Sequence, residues 1–323
     1  MKVFDLHCDT LSELRRAEMR GDGQTFARNN GHIDLEKLEK GDYMLQCFAA
    51  FVNLADPTPG ADPLVTALEE IDVFKRMMER YSDRIAPVYR PEDIRKNAEA
   101  GKISGMLTIE EAGCCKGSLG VLRRMYELGV RMMTLTWNHE NELASPNVVP
   151  GNGPIWPCMP NTETGLKEKG FEFLAEMERL HIIADVSHLS DKGFWDIAEH
   201  STRPFAASHS NCRALCGYTR NLTDDQLRAL AQTGGTVGLN LYPPFLGGRA
   251  DFDTLRAHLE HMLTLCGEDH VALGGDLDGC DELARGFTDV SSWASFYAYL
   301  QAAGYPADLL DRIFFRNLLQ LLQ

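Results

Sequence analysis

The chain alternates short apolar runs with longer stretches in which apolar residues recur at helical spacing. Most of the runs are short, as expected for strands of a parallel sheet that helices cover on its outer face. Eight strands are predicted in this way, over residues 3–9, 43–52, 104–110, 131–137, 181–188, 205–210, 235–242 and 270–278.

Amphipathic segments separate most of these runs. Their apolar stripes have the three- and four-residue spacing of helices that pack on a sheet, as in Leu64, Leu68, Ile71, Phe74 and Met78. Strand and helix alternating eight times predict an α/β fold, a (β/α)8 TIM-type barrel forming a single domain over residues 1–323. A doubly wound open sheet is the main competing architecture.

One long irregular stretch interrupts the alternation. Residues 138–165 follow the fourth predicted strand and are rich in Asn, Pro and Gly. Loops of this length inside compact domains are usually lids or binding loops. We therefore expect this loop to lie over the active site, with a simple surface excursion as the alternative.

Composition narrows the classes of partner. The chain has 47 acidic and 32 basic residues, and its net charge of −15 argues against nucleic acid and anionic membranes. No apolar run is long enough to span a bilayer, and Asp5, His7 and Asp9 would interrupt a signal peptide. The nine cysteines form no C-x-x-C pair, which indicates free thiols in a reducing compartment. A cytoplasmic location is expected.

The candidate chemistry lies at the carboxyl ends of the predicted strands. Taken singly, these polar residues could cap helices, occupy turns or form ion pairs. The carboxyl ends of barrel strands meet on one face, however, and converging carboxylates would repel each other without a cation. Histidine and carboxylate side chains together suit Zn²⁺ or a similar metal. The residues are His7, Asp9, Glu110, Glu111, His188, His209, Tyr242, Asp276 and Asp278.

Several segments together resemble the membrane dipeptidase family, also called renal-type dipeptidases. They run from residue 3 towards the C-terminus and read FDLHCDTL, TIEEAG, LTLTWN, ADVSHLSD, SHSNCRAL, TRNLTDDQL and GGDLDG. The resemblance implies a metal-dependent barrel hydrolase of the amidohydrolase superfamily that cleaves dipeptides. It also implies two Zn²⁺ ions per subunit, with Co²⁺ or Mn²⁺ as substitutes.

The same resemblance implies a role for each matching residue. His7 and Asp9 would bind the first zinc ion, Glu110 would bridge both ions, and His188 and His209 would complete the second site. Glu111 is the alternative bridging residue. The remaining implied roles are proton transfer and recognition of the substrate's free carboxylate, by Asp276 for the first and by Arg220 and Tyr242 for the second.

One departure from the family pattern concerns the substrate carbonyl. Renal-type members have His directly after Leu-Thr-Leu-Thr, whereas this chain has Trp137, with His139 two residues later. In the family this His helps to polarise the substrate carbonyl. Either His139 takes over this role, or zinc alone polarises the carbonyl, or the substrate differs. We favour His139 as a catalytic residue and place Trp137 in the substrate-binding site.

Other functions stay open at this point. A related barrel could cleave N-acyl amino acids, lactones or another small amide, which the unusual Trp137 favours. A metal-dependent sugar isomerase is disfavoured, because it usually needs several carboxylates and a Lys, whereas these strand ends are rich in His. A purely structural zinc module is also disfavoured, because it would close the coordination sphere of its metal and would not need both Glu110 and Asp276. The expected partner is a small dipeptide, with no nucleic acid and no membrane; a homodimeric assembly stays open.

Overall fold

Eight parallel strands close into a barrel in the computed structural model, which describes residues 1–147 and 159–322. The neighbouring strands run in the order β2-β1-β9-β8-β7-β6-β5-β4, and β2 pairs with β4 to close the barrel, so the predicted (β/α)8 fold is confirmed and the open sheet is excluded. The strands are β1 Val3–Asp5, β2 Tyr43–Phe51, β3 Ile85–Pro87, β4 Ile103–Glu110, β5 Val130–Thr134, β6 Ile183–Asp185, β7 Ala206–Ala207, β8 Thr236–Leu239 and β9 Val271–Leu273.

Helices surround the barrel and connect its strands. Local signals start several of them; the Asp62 carboxylate, for example, accepts the backbone N–H groups of Leu64 and Val65 at the start of α3. The helices are α1 Thr10–Arg20, α2 Leu35–Lys40, α3 Pro63–Arg80, α4 Pro91–Glu99, α5 Leu119–Leu128, α6 Glu168–Leu180, α7 Asp191–His200, α8 Asp224–Gln232, α9 Pro243–Leu246, α10 Phe252–Cys266, α11 Trp293–Ala302, α12 Ala307–Asp311 and α13 Asn317–Leu321. Two 3₁₀ turns, Ala112–Cys115 and Val290–Ser292, and a π-helical segment, Arg312–Arg316, complete the described elements.

The strands end earlier than the sequence pattern predicts. The first strand was expected over residues 3–9, but β1 ends at Asp5, and His7 and Asp9 lie in the turn beyond it. The cause is the Asp5 side chain, which accepts the N–H of His7 at 3.0 Å and that of Gly275 at 3.1 Å. His7 and Asp9 are therefore positioned by a turn that the Asp5 side chain caps, and not by the strand itself.

One strand, β3, was not among the eight predicted strands. Its three residues pair only with the start of β4, from Ile85 opposite Ile103 to Pro87 opposite Gly105. A segment this short that ends in proline carries too weak an alternation to be distinguished from a loop. It extends the sheet outside the closed barrel.

Two apolar layers hold the barrel together. The larger lies between the strands and the surrounding helices and includes the fully buried Trp293. The smaller fills the amino-terminal part of the barrel interior, where α13 closes it with Leu318 and Leu321. Its strand residues include Phe4, Leu45, Cys47, Met106, Met132, Ala206 and Ala272. Apolar packing thus occupies one end of the barrel and leaves the other end for polar side chains.

The predicted loop over residues 138–165 is described in two parts, 138–147 and 159–165. Residues 148–158 of this prediction lie outside the described residues. The first part contacts the polar end of the barrel, since Asn138 hydrogen bonds to His188.

No described helix combines the length and apolar character that crossing a membrane requires.

A buried carboxyl group, Glu70, lies between α3 and the barrel. One of its oxygens accepts the Ser12 hydroxyl at 2.9 Å and the other accepts the Phe51 N–H at 2.7 Å. Burial raises the pKa of Glu70 to about 8 from the ordinary 4.5. Because the folded-state pKa is the higher one, this group's contribution to stability is full below about pH 4.5 and is lost as pH rises towards 8.

Replacing Glu70 with glutamine is expected to abolish this pH dependence. Gln can keep both contacts, because the Ser12 hydroxyl can accept as well as donate a hydrogen bond. Relative to the wild type, E70Q should gain about 1.4 kcal/mol of unfolding free energy per pH unit over the upper part of the pH 4.5–8 range. Urea unfolding at several pH values measures this gain. E69Q, at the exposed neighbouring position, is the control, and a constant difference between E70Q and wild type would refute the assignment.

Candidate active site

Side chains from five strand ends converge at the carboxyl end of the barrel. Glu110 is the last residue of β4, whereas the other groups lie in turns directly after their strands. His7 follows β1, His188 follows β6, His209 follows β7 and Asp276 follows β9. The structure therefore brings together the metal-binding residues and the proton-transfer residue expected from the sequence.

The carboxylate of Glu110 lies at the centre of the cluster. One oxygen is 3.3 Å from Nε2 of His7. The other is 2.9 Å from Nε2 of His188 and 3.6 Å from Nε2 of His209. The two oxygens of Glu110 thus face different histidines, which is the arrangement that a bridging carboxylate needs.

Asp9 and Asp276 complete the other side of the cluster. Oδ2 of Asp9 is 3.3 Å from Nε2 of His7, and Oδ1 of Asp276 is 4.0 Å from the same nitrogen. Two groups of three side chains could each hold a metal ion, and they share His7. One comprises His7, Glu110 and His209, and the other comprises His7, Asp9 and Asp276.

Hydrogen bonds set the tautomers of His188 and His209. Nδ1–H of His188 donates to Oδ1 of Asn138 at 3.0 Å. Nδ1–H of His209 donates to the Ser208 hydroxyl at 2.6 Å, which in turn donates to Asp185 at 2.5 Å. Both Nε2 atoms therefore present lone pairs, and they lie only 3.0 Å apart. Two facing lone pairs repel each other unless a cation lies between them, so these residues fit a metal ion.

Two further atoms support a metal ion at the site. Nε2 of His7 and Oδ1 of Asp9 are buried and have no hydrogen-bond partner among the described residues. Burial of a polar atom without a partner costs about 1–3 kcal/mol. A bound cation would satisfy both atoms.

Electrostatics favour the same conclusion. Burial raises the pKa of Glu110 to about 8. Burial, together with nearby Arg220 and His7, holds the pKa values of His188 and His209 well below the ordinary value. The imidazoles of His188 and His209 are consequently neutral, which is the form that binds metal. Burial also lowers the pKa of His7, but the adjacent carboxylates of Glu110 and Asp9 outweigh this effect and raise that pKa well above its ordinary value.

Strained backbone positions hold two of these side chains. His188 and Asp276 have left-handed backbones, with φ of 70° and 56°. Non-glycine residues in this region cost on the order of 1–3 kcal/mol and concentrate at functional sites. Gly279 also has a steric reason to be glycine, because a Cβ there would overlap the carboxylates of Asp9 and Asp276.

The two adjacent glutamates have separate roles. The carboxylate of Glu111 accepts N–H groups from Gly113 and Trp137, each at 2.8 Å, and the amide of Asn141 at 2.5 Å. Glu111 therefore holds the start of the loop, while Glu110 faces the histidines.

Arg220 is buried beside the metal-binding cluster. Its Nη2 donates to the carbonyl of His209 at 3.1 Å, and its guanidinium lies 5.2 Å from the ring centre of Phe245. Its Nε is buried, and no residue in the described part of the chain forms a hydrogen bond with it. Within residues 1–147 and 159–322, Arg220 forms no ion pair. A buried cation in this state is suited to an anionic ligand.

Three aromatic residues predicted for the site occupy its margins. Tyr242 packs on Phe245 with ring centres 4.9 Å apart, next to Arg220. The centre of the Trp137 ring lies 4.9 Å from that of Phe51 and 6.0 Å from that of His188. The ring of His139 lies 5.9 Å from that of Trp137, and within the described parts of the chain its side chain contacts none of the candidate metal ligands.

Sequence reasoning missed the residues that orient the ligands. Asn138 and Ser208 bond directly to candidate ligand histidines, and Asp185 and Asp5 fix the turns that carry such histidines. A signal for the two aspartates was present, because each precedes a ligand histidine by two or three residues. Asn138 carried no such signal.

Replacing Asn138 with alanine is expected to weaken zinc binding by about 10–100-fold, because His188 loses the partner that fixes its tautomer and orientation. Competition with a chromogenic chelator measures the affinity. N97A, a substitution on α4 away from the cluster, is the matched control. Wild-type zinc affinity in N138A would show that the Asn138–His188 bond has no role in metal binding.

A closed parallel barrel with a buried histidine and carboxylate cluster at its carboxyl end defines a metal-dependent barrel hydrolase. The model of the family "Membrane dipeptidase (Peptidase family M19)" matches residues 1–323, and the chain belongs to this family. The protein is a metal-dependent dipeptidase.

Known relatives are similar over nearly the whole chain. An uncharacterized protein from the pqqA 5′ region of Klebsiella pneumoniae is 36% identical, over 82% of this chain and 97% of the relative. An uncharacterized dipeptidase of Schizosaccharomyces pombe is 33% identical, over 90% of this chain and 72% of its own. A solved metallopeptidase from Rhodobacter sphaeroides, bound to a phosphinate mimic of L-Ala-D-Ala, matches with a TM-score of 0.90 and 29% identity, over 100% of this chain and 98% of its own.

Proposed function

We propose that the protein hydrolyses dipeptides with two zinc ions held at the carboxyl end of the barrel. The observation that carries this proposal is the position of Glu110, whose two oxygens face different histidines. His7 and Asp9 would hold the first ion with Glu110, and His188 and His209 would hold the second with Glu110. The mixed imidazole and carboxylate ligands suit zinc, and Co²⁺ or Mn²⁺ could replace it.

The metal pair, when bound, would lower the pKa of a bound water and polarise the peptide carbonyl. The protein's own residues supply the proton transfer. Oδ2 of Asp276 accepts the Asn240 amide at 3.0 Å, which leaves Oδ1 directed towards the cluster. Asp276 would accept a proton from the attacking water and later deliver it to the leaving amine.

Arg220 would select substrates by their free C-terminal carboxylate. Its guanidinium is anchored to the carbonyl of His209, a metal-binding residue. A carboxylate bound there lies within a short distance of the scissile bond, so dipeptides fit and longer peptides do not. Tyr242, packed beside Phe245, would contribute a second contact to the same group.

The wall formed by Phe51 and Trp137 would line the other side of the substrate site. Trp137 contacts His188, whereas Arg220 bonds to His209, so the aromatic wall and the carboxylate site flank the cluster. The wall would accept the apolar side chain of the N-terminal residue. The catalytic role of His139 stays a prediction; its ring contacts Trp137, so the proposal assigns it no proton or charge step.

Dipeptides with a C-terminal D-residue belong in the substrate test. The Rhodobacter sphaeroides relative binds a mimic of L-Ala-D-Ala, and its fold matches this chain with a TM-score of 0.90. The proposal therefore includes L-Xaa-D-Xaa dipeptides among the substrates.

Amino acid release from a dipeptide library tests the proposal, with tripeptides, N-acyl amino acids and a chelator-treated sample in parallel. Chelator-sensitive cleavage of dipeptides, with tripeptides spared, is expected. Trp137 favours one alternative, a hydrolase of N-acyl amino acids, which also carry a carboxylate for Arg220. Cleavage of these compounds, with every dipeptide left intact, would establish that alternative.

A further inference from the structure

A second cavity lies at the amino-terminal end of the barrel, opposite the metal-binding cluster. Its volume is about 320 Å³, within the range of small-molecule sites of ~300–1,000 Å³. One wall is Met106, which precedes Glu110 by four residues on β4, so roughly 13 Å of strand separate it from the cluster. The dipeptidase reaction uses nothing in this cavity.

The cavity is apolar inside and polar at its rim. Val88, Met106, Ala184 and Leu321 form the inner wall, and each is less than 9% exposed. Met106 and Leu321 belong to the apolar cluster that fills this end of the barrel interior. A ligand would therefore place an apolar part against the barrel floor.

Three guanidinium groups line the rim, those of Arg90, Arg131 and Arg203. None of the three forms an ion pair within residues 1–147 and 159–322, although the chain has 47 acidic residues against 32 basic ones. Most other arginines of the described chain do pair with carboxylates, as Arg84 does with Glu39 and Arg213 with Asp191. Unpaired cations at one rim create a positive potential in an otherwise acidic protein.

Arg131 is held in place by the backbone. Its Nε donates to the carbonyl of Tyr89 at 2.8 Å, and its Nη1 donates to those of Tyr126 and Val130 at 2.9 and 2.8 Å. The guanidinium lies 4.2 Å from the ring centre of Tyr126. Such contacts fix its position without neutralising its charge, so the group is preorganised for an anion.

The acidic residue of the lining does not neutralise this rim. The Glu178 carboxylate accepts the hydroxyls of Ser201 and Thr202, each at 2.7 Å, and the N–H of Thr202 at 2.7 Å. These neutral donors occupy Glu178, and no described guanidinium pairs with it. Since three guanidinium groups stand against this one carboxylate, the net charge of the rim is positive.

From this arrangement we infer that the cavity binds an amphipathic organic anion, with its charged head between Arg90, Arg131 and Arg203 and its apolar tail against Met106 and Leu321. A medium-chain carboxylate or alkyl phosphate has this chemistry. The inference is independent of the proposed dipeptide hydrolysis.

Calorimetric titration of the zinc-loaded protein tests the inference, with octanoate, octyl phosphate and the neutral octanol as probes. Both anions are expected to bind, and the affinity for octanol is expected to be lower by at least about tenfold. A preference between the two anions identifies the head group. The R220Q variant separates this cavity from the active site, because octanoate binding should persist when the active-site arginine is absent.

The double variant R90Q/R203Q should weaken octanoate binding by about tenfold. Both side chains are exposed, so the fold should tolerate the change. The control is R95Q/R249Q, which removes the same charge from exposed positions away from the cavity. Absence of octanoate binding, equal binding of octanol, loss of binding in R220Q, or equal weakening in both double variants would each overturn the inference.

Discussion

The D276N variant is expected to keep its bound metal and to lose about 10²–10⁴-fold in kcat. Asparagine keeps the contact to Asn240, because its amide oxygen can accept the hydrogen bond that Asp276 accepts at 3.0 Å. It cannot take up and release a proton near neutral pH. The chemical step should therefore fail while the site remains assembled.

Steady-state kinetics and metal analysis of the same preparation measure both parts of this prediction. D281N is the matched control, since Asp281 is exposed and lies in the same strand-end loop. An active D276N enzyme would remove Asp276 from proton transfer. Inactivity accompanied by loss of metal would instead assign Asp276 to metal binding, in the group that it forms with His7 and Asp9.

The R220Q variant is expected to raise KM for dipeptides by at least about 100-fold, with a smaller change in kcat. Two charge-assisted hydrogen bonds to the substrate carboxylate would be lost, each contributing about 1.5–3 kcal/mol. The buried guanidinium has no ion-pair partner in the described chain, so no existing carboxylate is left unpaired by the change.

Dipeptide amides provide the internal control for this variant. They lack the C-terminal carboxylate, so the wild type should discriminate against them and R220Q should not. A thermal melt of R220Q verifies that the fold survives. If KM for dipeptides stays at its wild-type value, the carboxylate is recognised elsewhere and Arg220 has a structural role.

The sequence predicts the barrel well because its strands carry the strongest signal available. Long apolar runs such as Tyr43–Phe51 and Ile103–Glu110 became strands of nearly the predicted length. Shorter strands were predicted too long, as β7 shows with only Ala206–Ala207. The apolar pattern continues beyond the strand ends, where the side chains of Asp5 and Asp185 accept backbone N–H groups that would otherwise pair with a neighbouring strand. Hydrophobic periodicity does not show where a side chain replaces a strand as the hydrogen-bond partner.

The residues of the candidate site could be predicted, but the hydrogen-bond partners that orient them could not. His7, Glu110, His188 and His209 could be placed together because barrel strands end on one face. The contact between Asn138 and His188 could not be predicted, because the two residues are 50 positions apart in the sequence. The left-handed backbones of His188 and Asp276 could not be predicted either, because only a small fraction of Asp and His residues adopt this conformation and the residue type alone does not show which.

Stepwise addition of zinc to metal-free protein, with dipeptide hydrolysis measured at each step, tests the central claim most directly. The proposal predicts tight binding of two equivalents, with full activity reached only at the second, because the two oxygens of Glu110 face different histidines. Saturation of both binding and activity at one equivalent would contradict the two-metal site.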